Sequence, residues 1–575
     1  MYRTHKLNEL RLSDVGSKVT LSGWVATVRN LGNFAFIDLR DRYGITQILV
    51  KDDLVKKVND IKSEYVIQVE GEVFERSSKN PKLETGDIEV LAHSINILSK
   101  SSPLPFEISD TREINEGLRL KYKYLDLRSK RMLNNLIKRN TLIFTVREFM
   151  NQNGFLDIDT PVLAKATPEG ARDFIVPSRI QKGSFYALPQ SPQLFKQLLM
   201  ISGIDKYYQF AKCFRDEDLR ADRQPEFTQL DIEMSFIHQE DVLNLMEKLA
   251  KKVFNAVTDK TIDYTFPRMS YDHALEFYGS DKPDTRFDMQ LIDIKDIVKG
   301  KGFSVFDEAE YIKAIVADKV FSRKNLKDYE EYVKSYFNAK GLAFIKKEND
   351  EISSPISKFF GEKTIKSLEE KLKLRNNQTA LIISGKKDIV LSSLGALRLK
   401  IANDLDLIDK NKFNFLWVVD FPMFEFSEEE NRYKACHHPF TMLKTEDIPL
   451  LEKNELSNIK SDTYDMVLNG FEIGGGGIRI HDSELQSLVF DRLLISREDQ
   501  VDKFGFLLEA LKYGVPPHGG IAFGIDRWLM VMLNETSIKE VIPFPKTNKG
   551  QDLLTGAPAE VDINQLEKEL LLKKL

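Results

Sequence analysis

The sequence predicts a multidomain α+β protein that begins with a small β-barrel. Its 575 residues are too many for one hydrophobic core and would form roughly three to five domains of usual size. Hydrophobic and polar residues alternate in five short runs between Val19 and Val90. Further on, a Lys/Glu-rich stretch separates two segments that carry most of the motifs. These observations predict a barrel, followed by a second α+β domain that is interrupted by an insertion.

The five runs are separated by Gly or Asn/Pro clusters, as expected of short strands. Five strands in so short a segment are typical of the OB-fold, which binds oligonucleotides on its strand face. A generic barrel without that function is the alternative from periodicity alone. After the barrel, helical spacing from Leu136 to Met150 predicts a helix that ends near Gly154.

Changes in composition set the predicted domain boundaries. The segments are a barrel over residues 1–105, a hinge over 106–135, the first part of the second domain over 136–280, an insertion over 281–415, the second part over 416–550, and an extension over 551–575 that ends in a short charged helix.

Charge and cysteine content narrow the function classes. With 83 basic and 88 acidic residues, the net charge of −5 argues against a protein that coats nucleic acid or membrane by bulk positive charge. Residues 1–150 nevertheless carry 25 basic and 20 acidic side chains, so this part alone is positive. Two cysteines, Cys213 and Cys436, are too few for a disulfide framework or a Cys-based zinc site. No apolar run is long enough to cross a bilayer, and we expect a cytoplasmic protein.

Three charged or glycine-rich clusters indicate a phosphate ligand. Arg215, Arg220 and Arg223 lie in a predicted strand–loop–strand, where they could bind phosphate or simply form a solvated loop. Asp465 and Glu472 could share a divalent cation that also binds phosphate oxygens. Arg527 follows a glycine-rich run at a predicted helix start. Neither a Walker loop nor a Rossmann loop is present.

Together, the motifs resemble those of class II aminoacyl-tRNA synthetases, and more narrowly of bacterial-type aspartyl-tRNA synthetases. The matching segments are Thr167–Asp173, Gln190–Gln193, Phe214–Glu217, His437–Thr441, Gly474–His481 and Gly524–Arg527. The resemblance covers nearly the whole chain. It implies an OB-fold anticodon-binding domain, a hinge, and a catalytic domain on a six-stranded antiparallel sheet with a bacterial insertion.

The resemblance also implies substrates and site residues. The substrates would be ATP, L-aspartate and tRNA(Asp), with Mg²⁺ held by Asp465 and Glu472. Arg215 and Arg527 would be the catalytic residues. The implied ATP-binding residues are Arg215, Asp216, Glu217, Gln224, Phe227, Glu472, Gly524, Ile525, Asp526 and Arg527. The implied aspartate-binding residues are Glu169, Ser191, Gln193, Lys196, Arg215, Asp231, His437 and Arg479.

The resemblance extends to the tRNA and to a second subunit. Arg29, Phe36 and Gln47 would contact the anticodon, although Phe36 could instead be a buried strand residue. Leu31 occupies a position where strictly discriminating enzymes carry Leu and relaxed ones His, so we expect strict discrimination. An enzyme that also aspartylates tRNA(Asn) is the alternative. Pro161 aligns with the motif that packs a homodimer. Other hypotheses are an asparaginyl or lysyl enzyme and a noncatalytic RNA-binding paralogue.

Overall fold

The computed structural model of the chain describes residues 1–166 and 170–570. The chain divides into two compact units, residues Met1–Leu133 and Asn134–Leu575. Each helix within the described ranges is too short or too polar to span a bilayer. The predicted domain boundaries are finer than this division and stay predictions.

The first unit contains the predicted barrel. Its elements are β1 (Lys18–Asn30), β2 (Phe34–Arg40), β3 (Ile45–Lys51), α1 (Val55–Val58), β4 (Val66–Glu75), β5 (Ile88–Ser99), α2 (Glu116–Lys121) and α3 (Lys123–Asp126). The strands close in the order β1-β2-β3-β5-β4, and within the described barrel only the pair β3 and β5 is parallel. Along β2, buried residues alternate with more exposed ones, because successive side chains of a strand point to opposite faces. The five predicted strands are thus confirmed.

The second unit begins with helix and sheet elements that carry the first motifs. They are α4 (Lys130–Gln152, which starts within the first unit), β6 (Leu156–Asp157), β7 (Ile175–Pro177), β8 (Phe185–Ala187), α5 (Gln193–Ile201), β9 (Lys206–Phe214), β10 (Glu226–Ser235), α6 (Gln239–Thr258), β11 (Arg268–Ser270) and α7 (Tyr271–Tyr278). The predicted helix that ends near Gly154 is α4, and Gly154 has a positive φ of 78°. The arginine-rich cluster lies on the predicted strand–loop–strand, which β9 and β10 form.

The predicted insertion forms its own α+β layer structure. Its elements are β12 (Ile292–Asp293), α8 (Lys295–Val298), α9 (Ser304–Asp307), β13 (Tyr311–Ala317), α10 (Arg323–Phe337), β14 (Ala343–Glu348), β15 (Glu351–Ser353), α11 (Glu362–Leu372), β16 (Gln378–Gly385) and α12 (Lys387–Asp404). The strands pair antiparallel in the order β12-β13-β16-β14-β15. Nearly every residue of β16 is buried, because apolar clusters cover both faces of this sheet.

The remaining elements complete the large sheet. They are β17 (Phe415–Val419), β18 (Phe424–Ser427), β19 (Arg432–Ala435), α13 (Ile448–Glu452), β20 (Thr463–Leu468), β21 (Phe471–Ile478), α14 (Ser483–Arg492), α15 (Arg497–Ala510), β22 (His518–Gly524) and α16 (Ile525–Met532). The extension contains a single π-helical turn at Gln565–Glu569 where a charged helix was predicted, and residues 571–575 lie outside the described range.

The large sheet has eight described strands in the order β11-β17-β20-β21-β22-β10-β9-β6. The six central strands pair antiparallel, which confirms the six-stranded antiparallel sheet implied by the resemblance. The sheet is wider because the short strands β11 and β6 add to its edges in parallel. Helices α4, α6 and α16 contribute to the apolar cluster on one face of this sheet.

Strands β22 and β10 approach each other closely at Gly520. A Cβ atom at this position would lie 2.0 Å from the carbonyl oxygen of Ile232, well inside contact distance. We predict that Gly520→Ala lowers the free energy of unfolding by about 1–3 kcal/mol, because the strands must separate. Gly505→Ala is the control, since its Cβ would meet the nearest atom at 3.7 Å and alanine favours the helix α15. Equal unfolding midpoints of the two variants in a thermal denaturation would contradict the prediction.

Candidate functional site

A cavity of about 360 Å³ opens on the large sheet and is lined by polar side chains. Seven of the eight residues assigned to aspartate by resemblance line it: Ser191, Gln193, Lys196, Arg215, Asp231, His437 and Arg479. The eighth, Glu169, lies outside the described residues. The sequence therefore identifies side chains that are far apart in the chain but share one cavity.

Two cations and two carboxylates form a buried network beside this cavity. The Lys196 ammonium lies 2.7 Å from Asp231 Oδ1 and 3.2 Å from Glu233 Oε2. Arg479 donates from Nε to Glu233 Oε1 at 2.9 Å and from Nη2 to Oε2 at 3.3 Å. All four side chains are at most 3% exposed. Each buried charge thus has a partner of opposite sign, as burial requires.

His438 completes the surroundings of Arg479. Its Nε2 lies 2.7 Å from Arg479 Nη1, and because a guanidinium only donates, Nε2 accepts this hydrogen bond. Its Nδ1 lies 3.3 Å from both Thr441 Oγ1 and the backbone nitrogen of Phe440. Burial and the charge of Arg479 hold the pKa of His438 well below its usual range, which keeps the ring neutral. With these partners, Arg479 retains one N–H on each terminal nitrogen, and the pair can bind a carboxylate in a bidentate manner.

The two carboxylates of the network differ in their pKa values. Burial would raise the pKa of Glu233, but Arg479 and Lys196 outweigh it and lower the pKa to about 2. Burial raises the pKa of Asp231, and the nearby Glu233 adds to this effect against the attraction of Lys196. Glu233 is therefore the firmly ionised member that holds both cations in place.

Several buried polar atoms around the cavity have no hydrogen-bond partner among the described residues. They are Gln193 Nε2, Arg215 Nε, Asp231 Oδ2 and Arg527 Nε. An unsatisfied buried polar atom costs about 1–3 kcal/mol. These four atoms belong to residues assigned to substrates, so a polar ligand could supply their missing partners.

The residues assigned to ATP on β9, β10 and the loop between them do not all have their partners in the same part of the chain. Arg215 lies over the ring of Phe227, with Cζ 5.2 Å from the ring centroid, and Glu217 pairs with Arg223 at 3.0 Å. Asp216 donates its backbone N–H to Arg172, which joins this loop to residues 170–173. The Gln224 amide instead binds the backbone of Lys546 through both its nitrogen and its oxygen.

The predicted helix start at Arg527 is confirmed, because Gly524 is the N-cap of α16. Arg527 donates to the carbonyl of Glu472 at 2.9 Å and pairs with Asp222 at 3.2 Å. Ile525 is fully buried, whereas Asp526 accepts hydrogen bonds from Arg139 and from the backbone N–H of Thr228. The Asp526 side chain is thus bound within the protein.

Asp465 and Glu472 lie on the hairpin formed by β20 and β21. Asn469 and Gly470 both have positive φ, as a tight two-residue hairpin turn requires. A Cβ atom on Gly475 would lie 2.6 Å from Asp465 Oδ1 and 3.3 Å from Glu472 Oε1, so both carboxylates converge on this backbone position. Burial and the charge of Glu472 raise the pKa of Asp465 well above its usual range. Two converging carboxylates that repel each other fit a divalent cation.

The described residues contain no group of three or more His, Cys, Asp or Glu side chains placed to hold a metal. A cation at the pair would therefore need further oxygen ligands from outside the protein. This donor set fits a magnesium ion that arrives with a nucleotide, since Mg²⁺ commonly uses one or two carboxylates plus substrate phosphates.

The residues assigned to the anticodon also come together, on the face of the barrel. Arg29 and Phe36 are directly paired on β1 and β2, with Arg29 Cζ 5.8 Å from the Phe36 centroid. Arg29 also donates to Gln47 Oε1 at 3.2 Å. Leu31 is 60% exposed in the following loop, and Phe34 lies at the edge of the Phe36 ring. Phe36 is half-buried, so it is neither a core residue nor fully exposed.

Sequence reasoning missed Glu233, His438 and Phe34. Glu233 follows Asp231 by two residues on β10, so strand periodicity could have placed it on the same face. His438 was passed over in favour of its neighbour His437, whose pKa burial lowers. Phe34 lies two residues before Phe36 on β2, so strand periodicity could have placed both rings on the same face.

Removing the charge of Glu233 tests the buried network. We predict that Glu233→Gln lowers the free energy of unfolding by about 3–5 kcal/mol near neutral pH, because both cations lose their anionic partner. The depressed pKa means that this contribution is present above pH 4.5 and is lost as the pH falls towards about 2. Denaturant unfolding at several pH values would measure it. Glu428→Gln, at a side chain that is 87% exposed, is the control and should change little.

Comparison with known proteins extends these observations over the whole chain. A family model described as "tRNA synthetases class II (D, K and N)" matches residues 115–548, and one described as "OB-fold nucleic acid binding domain" matches residues 19–98. The asparaginyl-tRNA synthetase of Pyrococcus horikoshii, solved with asparaginyl-adenylate, has a similar fold, with a TM-score of 0.60 and 19% identity. That alignment covers 95% of this chain and 99% of the other.

Two bacterial relatives are much more similar in sequence. An "Aspartate--tRNA ligase" of Thermosipho africanus is 52% identical over 100% of this chain and 98% of its own. An "Aspartate--tRNA(Asp/Asn) ligase" of Caldanaerobacter subterraneus is 51% identical over 99% of this chain and 98% of its own. The chain therefore belongs to the class II aminoacyl-tRNA synthetases, and within them to the bacterial aspartate–tRNA ligases.

Proposed function

We propose that this ligase activates L-aspartate with ATP in the cavity on the large sheet and then transfers aspartate to the 3′ end of tRNA(Asp). The observation that carries the proposal is the cation pair Lys196 and Arg479, held in place by Glu233. The free N–H groups of Arg479 and the Lys196 ammonium suit the side-chain carboxylate of aspartate. Glu169, Ser191, Gln193 and Asp231 would position the α-amino end, with His437 nearby.

Adenylate formation needs positioning and charge stabilisation more than proton transfer. The α-carboxylate of aspartate is already ionised and attacks the α-phosphorus directly, releasing pyrophosphate. Arg215 lines the cavity, where it would neutralise negative charge that develops on the α-phosphate. Its place over Phe227 leaves the other ring face for adenine. In the second step, the 3′-terminal ribose hydroxyl attacks the aspartyl carbonyl and AMP leaves.

The triphosphate would extend towards the start of α16. Arg527 would bind the γ-phosphate, while the backbone of Gly524 and Ile525 borders the nucleotide together with Asp216 and Glu217. Gln224 would act here by ordering the segment at Lys546, which its amide binds. Asp465 and Glu472 would hold Mg²⁺. When bound, the ion would neutralise phosphate charge.

Selection of aspartate over asparagine and lysine follows from charge. An asparagine side chain offers no negative charge, and its amide N–H groups would face cations that need acceptors. A lysine side chain would place a third cation beside Lys196 and Arg479. Buried donors of Lys196 and Arg479 that meet no acceptor, or a further cation beside them, are costly, so the asparaginyl and lysyl alternatives fit the cavity poorly.

We predict that Arg479→Leu abolishes aspartate-dependent exchange of pyrophosphate into ATP, with a loss of about a hundredfold or more, because the carboxylate loses its bidentate partner. Arg527→Ala should mainly raise the KM for ATP. The exchange assay, run with each substrate varied in turn, measures both effects. Arg323→Leu, on the exposed side of α10, is the control.

Unchanged kinetics in either variant would contradict that residue's role. Absence of exchange in folded wild-type protein would favour the noncatalytic RNA-binding paralogue.

The barrel would bind the anticodon through Phe36 stacking and polar contacts from Arg29 and Gln47. Single-stranded RNA loops are commonly recognised by aromatic stacking and edge hydrogen bonds. Within the folded barrel, the Gln47 amide is engaged by Arg29, Arg76 and Glu89. Base recognition by Gln47 would therefore exchange one of these partners for a base.

We predict strict discrimination, with tRNA(Asp) charged and tRNA(Asn) not, because Leu31 offers no polar group to a second anticodon. Separate charging assays with the two transcripts measure this, and Leu31→His tests the position. The relative named for both Asp and Asn supplies the alternative. Equal charging of both transcripts by the wild type would establish that alternative.

A homodimer in the cytoplasm is the proposed assembly and location. Around Pro161, the apolar residues Val162 and Leu163 are about half exposed, and Phe144 on α4 is 69% exposed. Large exposed apolar side chains of this kind are common at interfaces. No disulfide joins Cys213 and Cys436, which suits a reducing compartment. A monomeric mass by light scattering would contradict the dimer.

A further inference from the structure

Both ends of the predicted insertion contact the same hairpin turn. On the entering side, a Cβ atom on Gly470 would lie 3.1 Å from the Cβ of Asp284. On the leaving side, the backbone N–H of Asn414 donates to Asn469 at 2.8 Å, and its amide donates to Thr285 at 3.0 Å. The turn between β20 and β21 is therefore enclosed by the junctions of the insertion. The same hairpin carries Asp465 and Glu472.

The entering junction is held in a defined conformation. Arg286 forms a bidentate pair with Asp284, with distances from 2.7 to 3.2 Å. The buried Arg398 of α12 donates to the carbonyl groups of Asp284, Phe287 and Met289. A loop that is fixed at this many points can hold a side chain in a constant position beside the hairpin.

Lys282 occupies this fixed loop, two residues before Asp284. Its side chain is 47% exposed, and its ammonium lies 3.8 Å from Asp281 Oδ1. Asp284 packs against Gly470, two residues before Glu472, and Arg527 donates to the carbonyl of Glu472 in the same hairpin. Lys282 thus lies in the loop beside the part of the hairpin that Arg527 also contacts, and a contact at 3.8 Å to Asp281 leaves its donors available to phosphate.

We propose that Lys282 is a further binding residue for the triphosphate, and that its ammonium contacts the β- and γ-phosphates of ATP and the pyrophosphate that leaves. This inference rests on the proposed function. Lysine binds phosphate as a point charge, and negative charge grows on the leaving group as the bond to the α-phosphorus breaks. The first residues of the insertion would then belong to the catalytic site.

Equilibrium binding of ATP and AMP to the full-length protein tests the proposal. Lys282→Ala should weaken ATP binding about tenfold, since a charged contact to phosphate is lost. AMP lacks the β- and γ-phosphates, so its affinity should stay unchanged. Lys282→Arg keeps the charge and should retain most of the ATP affinity. Lys301→Ala, in the exposed loop between Gly300 and Gly302, is the matched control.

Kinetic measurement gives a second readout. In the exchange assay, Lys282→Ala should raise the KM values for ATP and pyrophosphate and leave the KM for aspartate within about twofold, since only phosphate contacts change. Equal ATP affinity in wild type and Lys282→Ala would overturn the proposal. An equal loss for ATP and AMP would also overturn it, because it would indicate a general disturbance. Lys282→Ala could lose affinity for ATP but not for AMP while the wild type shows no exchange. In that case the proposed function fails and this inference stands.

Discussion

The cavity on the large sheet depends on a buried balance of charge. Glu233 accepts from Arg479 on one side and from Lys196 on the other, and the three side chains come from β10, the end of β21 and α5. Two cations at the bottom of a cavity would repel each other without this carboxylate. Glu233 therefore holds together three elements and also sets the direction in which Arg479 presents its remaining N–H groups. In the proposed function, the carboxylate of aspartate would bind to these N–H groups.

The sheet is built to accommodate this balance. Glu233 is paired across the sheet with Gly520, and a Cβ atom there would lie 2.1 Å from Glu233 Oε2. Tyr464 on β20 donates its hydroxyl to the carbonyl of Gly520 at 2.9 Å. The glycines of β21 and β22 thus leave room for carboxylates that come from the neighbouring strands. In this part of the sheet, backbone and polar side chains fill the space that bulky apolar residues fill in the core.

Much of the fold and most of the site could be predicted from the sequence. Strand alternation located the barrel, and motif residues such as Lys196 and Arg479 share one cavity, as the resemblance implied. Glu233 was missed because a carboxylate that binds other protein side chains carries no motif of its own. The partners of Gln224 and Asp526 could not be predicted, since Lys546 and Arg139 are brought to them only by tertiary packing. Lys282 was not predicted either, because its position depends on how the insertion joins the sheet.

The amide of Asn414 binds Thr285, so the two ends of the inserted chain lie within one hydrogen bond of each other. A segment whose ends are adjacent can be exchanged, shortened or replaced by a brief turn without moving the strands that it interrupts. The catalytic sheet could thus have existed before this module and acquired it at a single surface point. The host protein would keep its architecture while gaining new residues beside the hairpin of β20 and β21.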